Sequence, residues 1–374
     1  MDRRVGRNII AVYAVVHAFL ALSCCAVADA ATPHRISTAD SKAIDALFAP
    51  YTGRDVPGAA VLVMHQGRVA FARGYGLADV ETKRPVTDRT NFRLASLTKA
   101  FTAIAILRLV QDGALRLDDH VADFLPEFPA YGRAIRIRHL LGHTSGLQAY
   151  QDFIPASQSR PLTDRDVLTL LRRTDSLLFP PGTAFRYGDS GYAILALVVE
   201  AVSGQPFARF LDKQVFARAG MKSTLAWEPG LREVPNRAVG YVATATGFRI
   251  SDQTLTSAVL GDGGVYSSVR DLAAWDRALD GHRLISASLQ HLAWAPTTLG
   301  NGVPTRYGFG WYLERDGAEP YIFHRGETSG FSNFIIKYPQ RRLTVIVLTN
   351  RHGGAPDDIA TAITRLASFR RATP

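Results

Sequence analysis

Apolar positions along the chain switch between helical and strand-like spacing, and the switches outline the fold. Ile44, Leu47 and Phe48 recur at helical spacing behind Ser37-Thr38, which can cap the helix, and Pro50 stops it. Gly58 to Met64 is then a short apolar run, His65-Gln66-Gly67 a turn, and Arg68 to Tyr75 a second run, the pattern of a β-hairpin. Strand-like runs return only near the end, at Tyr321 to His324, Phe331 to Tyr338 and Leu343 to Thr349, with Pro339-Gln340-Arg341 as a tight turn. Asp357 to Phe369 closes the chain as an amphipathic helix. The middle is helical: Thr98 to Asp112 carries Phe101, Ile104, Ile106, Leu107 and Leu109 before Gly113. Thr163 to Arg173, Tyr192 to Ser203, Pro206 to Ala219 and Ser268 to Leu279 follow. Strands at both ends with helices inserted between them predict an α+β fold. Its antiparallel sheet, formed by N- and C-terminal strands, is flanked by helices, with a mainly helical subdomain and a catalytic cleft between the two.

The first residues stand apart from this pattern. Arg3, Arg4 and Arg7 precede the apolar run Ile9 to Val27, and Ala28-Asp29-Ala30 supplies small residues where a signal peptidase reads them. Residues 1–30 are therefore expected to be a secretory signal peptide, cleaved to leave one domain over 31–374, rather than a retained anchor. The expected location is periplasmic or secreted, without stable membrane insertion after cleavage. Both cysteines, Cys24 and Cys25, fall in this leader. The remaining chain can hold neither a disulfide nor a thiolate nucleophile, so cysteine hydrolases and Cys-ligated metals are excluded. The composition, 47% hydrophobic and 20% charged, supports a sizeable core. The formal net charge of +10 is spread without Lys/Arg blocks, so no nucleic-acid partner is expected.

Chemistry enters at Ser96-Leu97-Thr98-Lys99, at the start of the central helix. Helical spacing i to i+3 sets Lys99 beside Ser96, where a lysine can take or tune the serine proton. The helix N-terminus would stabilise developing negative charge. The longer segment Asn91-Phe92-Arg93-Leu94-Ala95-Ser96-Leu97-Thr98-Lys99 resembles the active-site stretch of the serine β-lactamase and penicillin-binding family. Further segments resemble that family's landmarks in their order. These are Leu140 to Leu147 (LLGHTSGL), Pro181 to Tyr187, Gly263 to Ser268 with Asp271-Leu272, and His324-Arg325-Gly326 with Gly330-Phe331.

The resemblance implies a β-lactamase/transpeptidase-like fold and an acyl-enzyme on Ser96, with Lys99 and Tyr187 as its catalytic partners. Tyr187-Gly188-Asp189 is similar to the Y-x-N motif of class C β-lactamases, some D,D-peptidases and related esterases; Ser251-Asp252-Gln253 is only a late near-miss to S-D-N. A phenol titrates at about 10, so Tyr187 needs a cation such as Lys99 to serve as a base. Asp189 departs from Asn: it accepts hydrogen bonds but donates none when ionised, and would hold Lys99 or select an amine. His324 replaces the lysine that attracts carboxylates, with Arg325 as compensation if it faces the cleft. By resemblance, the backbone N–H groups of Ser96 and Glu327 form the oxyanion hole, and Gly326 keeps the strand edge open.

Two other signals carry little. Gly188-Asp189-Ser190-Gly191 imitates the nucleophile loop of trypsin-like proteases, whose all-β fold conflicts with the long helices here. His143 in Gly142 to Gly146 reads as a buried structural histidine. No metal spacing or nucleotide fingerprint occurs, so neither metal nor cofactor is expected. The expected function is an exported serine hydrolase cleaving small esters or amide and D-amino-acid peptide bonds, with β-lactams second. The rival is a catalytically weak sensor that binds penicillin or peptidoglycan. The substrate is expected to be a small molecule or a peptide or cell-wall fragment.

Overall fold

A computed structural model describes residues 36–369, so the expected leader at 1–30 lies outside the described residues. The main sheet is built from β1 (Ala59–His65), β2 (Arg68–Tyr75), β3 (Tyr312–Asp316), β4 (Glu319–Thr328), β5 (Phe331–Tyr338) and β6 (Leu343–Thr349). Its order is β3-β4-β5-β6-β1-β2 with every neighbouring pair antiparallel, so the two ends of the chain meet where β1 pairs β6. Gln66 and Gly67 both have positive φ (52° and 76°), the backbone a tight two-residue hairpin turn requires between β1 and β2.

Both faces of the sheet are covered, which is why β5 and β6 are buried along their whole length rather than at alternate positions. Val61, Val63, Val345 and Val347 pack against Ile44 of α1 (Thr38–Leu47) and Ile359 and Ile363 of a C-terminal helix. Leu62, Met64, Ile346 and Leu348 face the larger helical core, which includes Phe101 and Ile104 of α2 (Thr98–Gln111). That core also holds α3 (Asp164–Leu171), α4 (Ser190–Ser203) and α5 (Val269–Asp280). The C-terminal helix, α6, spans Pro356–Thr364, shorter than expected, because the chain tightens into a separate 3₁₀ turn at Ala367–Phe369. The helix expected over Pro206 to Ala219 contains a π-helical stretch at Leu211–Phe216.

Two strands depart from expectation in ways that matter for the site. β3 had no apolar run to announce it. β4 continues past His324 through Arg325-Gly326-Glu327-Thr328, held there by pairing with β5 (Gly326 opposite Asn333, Glu327 opposite Ser332). Since β3 pairs β4 only from Phe323 back to Glu319, residues 324–328 have a free edge.

Asp164 opens α3 as a buried carboxyl accepting the backbone N–H groups of Leu260 and Gly261, each at 3.0 Å. Burial outweighs those bonds and raises its pKa to about 7. The folded state thus holds a proton that the unfolded chain, titrating near 3.8, releases earlier. The stabilisation is full below about pH 4 and is lost as pH rises towards about 7. Asp164→Asn is expected to flatten the fall in Tm between those values, and an unchanged slope in thermal melts would refute the assignment. Among the described residues no single helix is long and apolar enough to cross a membrane.

Candidate active site

Ser96 lies one turn before the expected helix, in a 3₁₀ turn (Ala95–Leu97) that runs directly into α2. The short strand Phe92–Arg93, paired to Val265–Ser267, delivers the chain to this turn. Ala95 has φ 50°, a left-handed conformation costing a non-glycine residue roughly 1–2 kcal/mol. From the other side β4 presses against the turn. A Cβ on Gly326 would stand 2.1 Å from the Leu94 carbonyl oxygen, so only glycine allows the approach. Gly326 thus seats the nucleophile's turn against the strand.

Lys99, on the first turn of α2, is fully buried. Its Nζ donates to Ser96 Oγ at 3.0 Å, to Asp189 Oδ1 at 2.7 Å and to the Asp262 carbonyl at 3.1 Å. Burial alone would lower the lysine pKa; the Asp189 carboxylate, with Tyr187 and Asp262, overrides it and holds Lys99 above its ordinary range. Asp189 precedes α4, and its other oxygen accepts from Gln151 Nε2 at 2.7 Å. Burial works against its charge, but Lys99 and Gln151 keep the carboxyl below the usual range. The resting pair is therefore ammonium and carboxylate, which is the charge-holding alternative for Asp189.

The Tyr187 ring centroid lies 5.1 Å from Lys99 Nζ. Burial pushes its phenol up, and the pull of Lys99 and of Ser96 does not offset it, because Asp189 pushes upward as well. In the resting site Tyr187 is a neutral phenol, which corrects the expectation that Lys99 alone would lower it. His143 packs at 4.5 Å from the rings of both Tyr187 and Tyr307, and burial holds it neutral.

The third segment requires a larger correction. His324 is 1% exposed, donates from Nδ1 to the Arg325 carbonyl (2.6 Å) and accepts the Tyr307 hydroxyl at Nε2 (3.0 Å). Burial first, then Lys99, lowers its pKa to about 3. A neutral, saturated imidazole cannot draw in a carboxylate; His324 braces the wall behind Tyr187. Arg325 does not face the cleft, because strand alternation turns it to the opposite face. There it pairs with Asp357 at 2.9 Å and lies 5.5 Å from the rings of Phe323 and Phe334. Glu327 and Thr328 line the cavity of about 60 Å³ that also holds Ser96 and Asp189.

Tyr150, Gln151 and Asp262 line it too and were missed in the sequence. Asp262 is buried, accepts the Tyr150 hydroxyl at 3.1 Å, and is pushed well above the carboxylate range by burial and by Asp189. Its only sequence signal was its place inside Gly261-Asp262-Gly263-Gly264, an acid in a glycine run that turns sharply. Ser190 is no nucleophile: it is 2% exposed, donates to the Gln148 carbonyl at 2.7 Å and accepts Tyr150 N–H at 3.0 Å. Ser251-Asp252-Gln253 is spent elsewhere, with Asp252 bound to Arg237 and to Gly240 N–H.

Comparison with known proteins agrees with this architecture. The family model described as "Beta-lactamase" matches residues 44–368. "Penicillin-binding protein 4*" of Bacillus subtilis (strain 168) is 33% identical over 306 residues, 78% of this chain and 67% of that protein. A "D-aminopeptidase" of Gluconobacter oxydans (strain 621H) is 31% identical over 321 residues, 84% of this chain but 59% of that protein. The chain therefore spans about two thirds or less of the length of these relatives. The crystal structure of a penicillin binding protein from Bacillus halodurans superposes with TM-score 0.74 at 28% identity, over 88% of this chain and 99% of that one.

Proposed function

The chain belongs to the beta-lactamase family of serine hydrolases, and we propose that it is an exported acyl-transfer hydrolase using Ser96 as its nucleophile. The carrying observation is the buried Lys99 ammonium, 3.0 Å from Ser96 Oγ and 2.7 Å from Asp189. Such a pair can relay the serine proton: Lys99 passes a proton to Asp189 Oδ1 and takes one from Ser96 Oγ, so the ammonium stays beside the negative charge that develops on Ser96. Oγ attacks the substrate carbonyl, and the open edge of β4 at Glu327, with the Ser96 N–H, receives the oxyanion. Tyr187, neutral at rest, gives its proton to the leaving group. The resulting phenolate then takes a proton from the water that releases the acyl group, and Ser96 recovers its own from the Lys99–Asp189 pair. Every proton returns to its origin over the cycle.

For substrates, small esters and amides come first, including D-amino-acid peptide bonds, a class to which the Gluconobacter relative's name also points. β-Lactams come second, since neither His324 nor Arg325 offers a carboxylate its expected cation. Export rests on the basic and apolar leader ending at Ala30. One intact-mass experiment on protein recovered outside the cytoplasm tests the whole reading. The chain is expected to begin at Ala31, to take up one fluorophosphonate, and to turn over p-nitrophenyl acetate. A stable penicillin adduct without ester turnover would favour a sensor, and no adduct with any probe would overturn the proposal.

A further inference from the structure

Arg93 is a buried guanidinium, 2% exposed, in the wall of the cavity that holds Ser96. A guanidinium carries five N–H donors. Here the one hydrogen bond it makes to a described residue runs from Nη1 to Ser257 Oγ at 2.7 Å. Nε is buried and unpartnered, and no carboxylate among the described residues lies within 4.0 Å. Buried cations are ordinarily paired, because a charge removed from water without a partner is costly. The neighbouring acids do not supply one: Asp189 is committed to Lys99 and Gln151, and Asp262 to Tyr150. The Nε and Nη2 side of the fork is thus unused, the shape that grips a carboxylate with two parallel bonds.

We propose that Arg93 is the carboxylate-binding residue of this cleft, which makes the preferred substrates esters or amides that carry a carboxylate. The counter-ion site then lies on the wall beneath the nucleophile's own strand, while the third-motif position is closed by the neutral His324 and the outward-facing Arg325. The inference rests on the Ser96 reading for where the reacting bond lies.

The test compares substrates differing only in charge: 3-acetoxybenzoate against 3-acetoxybenzamide, and the phenyl monoester of adipic acid against phenyl adipamate. The first pair carries the charge on the leaving group, the second on the acyl chain. In the wild type one pair is expected to favour the carboxylate by about tenfold or more in kcat/KM. Arg93→Met should abolish that preference, and Arg93→Lys should keep part of it. A ratio taken within one variant is insensitive to how much of the preparation is folded. No preference in the wild type, or one that survives in Arg93→Met, overturns the subsite. Calorimetry of the Ser96→Ala protein with the same esters separates the two readings. Tighter carboxylate binding with no wild-type turnover keeps Arg93 and removes the serine mechanism; equal binding removes Arg93.

Discussion

Ser96→Ala is expected to lower ester turnover by roughly 10⁴-fold or more, because among the described residues no other hydroxyl lining the cavity is hydrogen-bonded to Lys99. Cys24 and Cys25 fall in the expected leader, and the hydroxyl of Ser190 is committed to backbone groups. The fold should be indifferent to the change. Ser96 is half-buried, and its loss leaves Lys99 with both Asp189 and the Asp262 carbonyl. Tm should therefore stay within about 2 °C of the wild type. A variant that keeps its turnover moves the nucleophile elsewhere. One that loses turnover together with several degrees of Tm shows that Ser96 also carries structure, contrary to the hydrogen-bond pattern.

Lys99→Met is expected to act on rate and stability together. Turnover should fall about 10³-fold, since Ser96 loses the ammonium that bonds its Oγ and links it to Asp189. Stability should fall as well, because the Asp189 carboxylate keeps its charge without its ammonium. Breaking a fully buried pair costs about 3–5 kcal/mol; Asp189 is 30% exposed and retains Gln151, so roughly 2–3 kcal/mol is expected. The double variant Lys99→Met with Asp189→Asn removes the stranded charge. It should recover most of the stability and none of the rate. Urea melts and steady-state kinetics on the same preparations separate the two effects. Recovery of rate without Lys99 would show that the stranded Asp189 charge, not the missing amine, had cost the turnover, and failure to recover stability would show that the pair is not what strains the single variant.

The sequence displayed the fold well where burial writes a pattern. Phe331–Tyr338 and Leu343–Thr349 are read with their observed bounds because both faces of those strands are covered and apolar residues dominate them, the buried Lys337 being paired with Asp276 and Asp280. β3 was illegible, since Tyr312–Asp316 is a half-exposed edge strand with no apolar run. At the site, local spacing was enough to join Ser96 to Lys99, and the Tyr187-Gly188-Asp189 segment arrives beside them. What local spacing could not carry is direction and competition. Whether Arg325 faces the cleft depends on the register of β4, which its polar sequence does not reveal. Whether Tyr187 ionises depends on which neighbour claims Lys99, and that is settled by Asp189, 90 positions from it in the chain.

The pairing of β1 with β6 imposes an order on folding. β1 leaves the ribosome long before its sheet neighbour β6, so one edge of β1 stays unpaired until Thr349 has been made. Pairings so distant in sequence form late and slowly. The same delay applies to the glycine that seats the nucleophile's turn, since Gly326 comes from β4. A nascent chain containing Ser96, Lys99 and even Tyr187 is therefore still an inert chain. Hydrolytic competence arrives in one step with the C-terminal strands, and no proteolytic fragment lacking them should retain it.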